Sequence, residues 1–157
     1  MRYRWDRFFS NPRRLHRVSQ AMIALSAVIA FFAAYLRDNR SAGSGTYLID
    51  VAALLVAICS AVLDGQYASI LGDFQPNSLR RGSLLRLVIG VFGMLLGCGV
   101  ASTTDLSRSG GDLIIATAYG VLFAGIALAL GGVIRILLVD GARYASEKVQ
   151  ERLDDDY

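Results

Sequence analysis

Asp64 interrupts an otherwise apolar stretch, AVLDGQYASI at residues 61–70, and two arginines, Arg86 and Arg135, stand inside later stretches of the same kind. One carboxylate and two guanidiniums on separate apolar segments fit two kinds of chemistry. The first is a charge network that ties the segments together, since a planar guanidinium donates to a carboxylate as a fork. The second is an ionisable centre coupled to a proton or cation, because ionisable residues inside a membrane often mark such pathways. Gln66 and Tyr67 are the polar neighbours expected to join either arrangement.

The elements that must position these charges follow from the apolar runs. The chain has 157 residues, of which 54% are hydrophobic and 18% charged, a balance that points away from a soluble globule. The apolar residues collect in four stretches, 18–36, 48–71, 84–102 and 113–139. Each approaches or exceeds the roughly 20 residues that cross a hydrocarbon core of about 30 Å. None alternates with period two, and a lipid-exposed strand edge would leave its backbone groups without partners. The expected fold class is therefore all-α. It is an integral membrane bundle of four transmembrane helices over 18–139, preceded by a basic-aromatic segment at 1–17 and followed by an amphipathic cytoplasmic tail at 140–157.

Orientation follows from the basic residues. With the N-terminus inside, thirteen of the sixteen fall on the cytoplasmic side, and only Arg37, Arg40 and Arg108 fall outside. The positive-inside rule then predicts a multi-pass protein of the cell membrane with both termini cytoplasmic. In that orientation Asp64 lies roughly 10 Å of helix rise from the inner end of its span, with Arg86 at roughly 3 Å and Arg135 at roughly 6 Å. An isolated Asp at mid-helix costs on the order of 2.5 to 3.5 kcal/mol, so pairing with Arg135 or Arg86 is the expected solution. The competing arrangement ends the second helix at Gly65, with Asp64 capping it, and lets both arginines reach lipid phosphates.

Turn-forming residues in SAGSG (41–45), QPNS (75–78) and RSGGD (108–112) make the connections short. Sequential helices are thus antiparallel neighbours. Asn11 followed by Pro12 reads as an N-cap with proline in the first turn. Ahead of it, Trp5, Phe8 and Phe9 with Arg13 and Arg14 form an expected interfacial anchor on an anionic inner leaflet, the alternative being a disordered basic tail. At the other end, Ala142, Ala145, Val149 and Leu153 make one stripe and Arg143 stands four residues before Glu147, so the fourth helix is expected to continue past Gly141.

Helix packing is expected along small residues. Ala53, Ala57, Ala61, Gly65 and Ser69 recur every four positions on the second helix, Gly93 and Gly97 lie on the third, and Gly120 and Ala124 on the fourth. Such strips let backbones approach closely within one chain or between copies. Gly131 and Gly132 suit a kink or a close crossing.

Signatures of catalysis do not appear. The single histidine, His16, leaves no basis for bis-histidine haem or histidine metal sites. There is no GxSxG, Walker or dinucleotide fingerprint, and no CxxC, while Cys59 and Cys98 both fall inside predicted spans. Anionic lipid accounts for the basic N-terminus without nucleic acid. The expected protein is non-enzymatic and needs no cofactor or metal: a structural or accessory subunit in a homo-oligomer or a larger membrane complex. The alternative is a small oligomeric ion- or proton-coupled transporter or channel with Asp64 as its ionisable group.

Overall fold

The computed structural model describes the backbone over residues 11–39, 45–72, 76–104 and 111–155, and side chains over 11–36, 48–70, 79–104 and 111–141 together with Tyr144 and Lys148. Trp5, Phe8 and Phe9 lie outside the described residues, as do the side chains of Ala142, Arg143, Ala145, Glu147, Val149 and Leu153. Among the described residues, four helices make up the fold: α1 (Pro12–Asn39), α2 (Gly45–Gly72), α3 (Pro76–Thr103) and α4 (Gly111–Asp155). Each is long and apolar enough to cross a membrane, and the chain is an all-helical, multi-pass bundle among its described residues.

The helices start where local chemistry lets them. Proline stands in the first turn of α1 and of α3, where a missing N–H costs nothing. The Asn11 carbonyl accepts from the amides of Arg14 and Leu15 at 3.1 and 3.2 Å, closing the first turn of α1. That helix therefore begins ahead of its apolar stretch and carries His16 as part of a regular helical face. Leu15, Ser19, Ser26, Ala30 and Ala33 make up that face, and all are fully buried. Helix α4 runs through Gly141 without a break and continues to Asp155.

The bundle is organised around α4, which packs against the other three helices. Helices α1 and α2 form a second close pair, while α3 rests almost entirely on α4 and touches α2 only lightly. Leu85, Phe92 and Leu95 of α3 are consequently exposed, the expected condition of side chains that face lipid.

The α3–α4 seam is built from residues seven apart. A Cβ on Gly132 would stand 2.9 Å from the Ser83 carbonyl oxygen, one on Gly90 2.7 Å from that of Gly125, and one on Gly97 2.7 Å from that of Ala118. Ser83, Gly90 and Gly97 thus pair in antiparallel register with Gly132, Gly125 and Ala118. A seven-residue period drifts by only about 20° per repeat, so small residues at that spacing hold one face over several turns. Dispersion and close backbone contact hold the seam, since lipid offers no hydrophobic drive between helices.

The four-residue ridge on α2 behaves differently. Ala53, Ala57, Ala61 and Gly65 are buried, but Ser69 is exposed and its hydroxyl donates to the Gln66 carbonyl at 2.9 Å. A spacing of four advances about 40° beyond a full turn each time. By Ser69 the ridge has wound off the interface, and Ala68, fully buried, takes its place. On α4, Gly120 and Gly125 serve different neighbours. Gly120 meets Ala27 and Phe31 of α1, whereas Ala124 is half-buried and Gly125 meets α3. From Gly120 to Gly125 the helix turns about 140° beyond a full turn, enough to change the partner helix.

Candidate functional site: a buried charge cluster

All four helices contribute to one cluster near the end of the bundle where α1 begins. Asp64 on α2 is 2% exposed. Its Oδ1 accepts from Arg135 Nη2 of α4 at 2.7 Å, and its Oδ2 accepts from Arg86 Nη1 of α3. The helix continues past it to Gly72, so Asp64 does not end a shortened α2. Arg135 is buried as well, and the Arg86 side chain is 17% exposed. The two arginines turn inward to the carboxylate, and each ion pair joins two helices.

Space for this arrangement comes from two consecutive glycines. A Cβ on Gly131 would stand 2.9 Å from Asp64 Oδ2, while Gly132 faces α3 on the opposite side. No kink is needed, since the helix is continuous. Both glycines serve close crossings, with α2 and α3 respectively. Gly65, one residue and about 100° from Asp64, points its Cα at Ile134 and Leu138 of α4, so α2 grips α4 on both sides of the ion pair.

Tyr67 extends the cluster by aromatic contacts. Its ring lies under the Arg135 guanidinium, with Cζ 4.9 Å from the centroid, and stacks on the His16 ring at 5.0 Å. His16 Nδ1 stands 3.4 Å from Arg86 Nη2. A guanidinium has only donors, so Nδ1 must be the unprotonated nitrogen. Nε2 then carries the ring proton, and its 3.2 Å contact with the Gln20 side-chain amide is a hydrogen bond when that amide turns its oxygen, not its Nε2, toward the ring. The backbones of α1 and α3 do not approach each other among the described residues, and the His16 to Arg86 contact spans the gap between them.

Two boundaries enclose the cluster. Toward the end of the bundle, one turn beyond Asp64 and Arg135, Ala68, Leu79 and Val139 form a buried apolar plug with Tyr67 packed against it. Toward α1, a cavity of about 330 Å³ is lined by Pro12, Arg13, His16, Arg17 and Tyr67. His16 and Tyr67 are its wall on the side of the ion pairs.

Of the residues that sequence reasoning grouped here, Asp64, Arg86 and Arg135 come together and Gln66 does not. Gln66 is exposed, because two residues along a helix is a rotation of about 200°. Arg13 and Arg14 are exposed on the first turns of α1, and only Arg13 reaches the cavity. His16 and Arg17 were not expected in a site. Their signal was the Asn11–Pro12 helix start, which makes everything after it part of a helical face. Cys59 and Cys98 are free thiols on exposed faces. Comparison with protein-family models, curated proteins and solved structures finds no match for the chain.

Proposed function

We propose that the chain is a non-enzymatic, multi-pass protein of the cell membrane, with both termini cytoplasmic, acting as a structural or accessory subunit through its helix faces and its C-terminal helical extension. The observation that carries this reading is the state of Asp64: both oxygens are taken by arginines from different helices, behind an apolar plug. A carboxylate whose two oxygens are both taken by guanidiniums ties helices together, whereas a proton- or cation-coupling group has to gain and lose its partner during a cycle. Further buried hydroxyls are spent within their own helices, as Ser26 donates to the Ile23 carbonyl, Ser60 to that of Ala57 and Ser83 to that of Leu79. These groups support a fixed scaffold better than a pathway.

The extension of α4 supports the contact role. From Gly141 to Asp155 it adds about 20 Å of helix at normal rise, and a charged rod of that kind offers a docking surface. Isolation from the native membrane in mild detergent tests the reading. A stoichiometric membrane partner that is lost when residues 142–157 are deleted is the expected result. A clean homo-oligomer whose wild-type form carries a proton or cation flux in reconstituted vesicles would overturn it in favour of transport.

A further inference from the structure

We propose that the cavity beside α1 binds a phosphate group, supplied by the headgroup of an anionic phospholipid. The inference needs only that α1 crosses a membrane, and it stands or falls independently of the accessory-subunit reading.

Charge is the first argument. Arg86 and Arg135 share the single carboxylate of Asp64, so the buried cluster carries one positive charge more than it neutralises. Arg135 Nε is buried and has no hydrogen-bond partner among the described residues. On the open side, Arg13 and Arg17 line the cavity, one turn apart and on the same face of α1. The first turn of a helix adds the positive end of its dipole. His16, with its unprotonated Nδ1 turned to Arg86, contributes a wall and no acidic group.

Position is the second argument. The apolar run of α1 begins at Val18, directly after Arg17, and Pro12, Arg13 and Arg17 line the cavity on the turns just ahead of it. The arginines thus sit at the level where the span meets the headgroups, the depth at which a lipid phosphate lies. A volume of about 330 Å³ accommodates a phosphodiester headgroup, and the acyl chains can follow the exposed apolar side of α1 that includes Leu25, Val28 and Phe32. A free phosphate ion shares the same recognition chemistry, so the experiment must separate the two sources.

The test uses the full chain in neutral detergent and follows its thermal unfolding with four additives: short-chain phosphatidylglycerol, short-chain phosphatidylcholine, inorganic phosphate, and sodium chloride at matched ionic strength. The expected result is a saturable rise in unfolding temperature with phosphatidylglycerol, well above that with phosphatidylcholine or chloride. Arg13→Gln and Arg17→Gln each raise the half-saturating concentration roughly fivefold, and together roughly 25-fold. These side chains are exposed, so the unfolding temperature without lipid stays near wild type. Arg14→Gln is the discriminating control, because Arg14 is equally exposed on the same helix but does not line the cavity. Its half-saturating concentration should not change. A rise with inorganic phosphate alone would uphold the phosphate site and overturn its lipid source. Equal rises with phosphatidylglycerol and chloride, or equal weakening by Arg14→Gln and Arg17→Gln, would overturn the proposal.

Discussion

Gly131 of α4 and Asp64 of α2 lie so close that a Cβ on the glycine would stand 2.9 Å from the carboxylate Oδ2. The carboxylate cannot swing away cheaply, since Arg86 and Arg135 hold both its oxygens. Gly131→Ala should therefore destabilise the bundle by about 1–3 kcal/mol, the usual cost of overpacking, even though alanine favours helix by about 1 kcal/mol. Gly82→Ala on α3 meets nothing within 4 Å and should be neutral or slightly stabilising. Thermal unfolding in detergent separates them. Equal stability of the two variants would mean that α4 does not crowd Asp64.

The three charges should differ in cost in a fixed order. Asp64→Asn leaves the buried Arg135 and the part-buried Arg86 guanidiniums together with no counter-charge, an expected loss of about 3–5 kcal/mol. Arg135→Met leaves Asp64 paired with Arg86, a neutral remainder, and should cost less, on the order of 1–3 kcal/mol. Arg86→Met should cost least, because that side chain retains 17% exposure and its loss also leaves a neutral pair. The double variant Asp64→Asn with Arg135→Met should be less damaging than the sum of its parts. Denaturant titration of the four proteins in detergent gives the order, and an Asp64→Asn protein milder than Arg135→Met would contradict the shared-carboxylate arrangement.

The four-helix class was legible because length and uninterrupted apolarity leave few alternatives in lipid. The meeting of Asp64 with Arg86 and Arg135 was legible for a related reason: an unpaired carboxylate is costly there, and antiparallel neighbours place all three at one end. What escaped was angular. A four-residue repeat suggested that Ser69 continues the α2 ridge, and only the accumulated rotation shows why Ala68 replaces it. The seven-residue series Ser83, Gly90, Gly97 and Ala118, Gly125, Gly132 was present in the sequence but sat among other glycines that face different neighbours. His16 was left out of the site although the Asn11–Pro12 start already put it on a helix, because only residues inside the apolar stretches were weighed as partners for Asp64. The helix begins at Pro12, set by a cap and not by hydropathy.

Gly90 gives the clearest test of the α3–α4 seam. A Cβ there would stand 2.4 Å from the Ala129 amide nitrogen, and a backbone atom in the middle of a helix cannot rotate aside. Because α3 relies on α4 for nearly all its packing, Gly90→Ala should loosen that helix from the bundle, with a loss of about 2 kcal/mol or more. Gly99→Ala, nine positions along on an exposed face with nothing within 4 Å, should retain wild-type stability. The readout is the rate of proteolysis in the loops flanking α3, measured below the unfolding temperature. Similar rates for the two variants would show that the seam tolerates a methyl group and is not close-packed.

Orientation can be read from the two ends of α3. Arg81 and Ser102 are both exposed and lie near opposite ends of that helix. In a background with Cys59→Ser and Cys98→Ser, whose thiols are exposed and unpaired and so tolerate replacement, single cysteines are placed at each position. The bias of thirteen basic residues to three predicts that Ser102→Cys reacts with a membrane-impermeant maleimide in intact cells, and that Arg81→Cys reacts only after permeabilisation. The reverse pattern would put both termini outside. Reaction at both sites in intact cells would show that α3 does not span. The expected pattern also bears on the cavity, because α1 begins at the end of the bundle where α3 begins. It would place Arg13 and Arg17 against the inner leaflet, where anionic lipids supply the phosphate that the excess positive charge calls for.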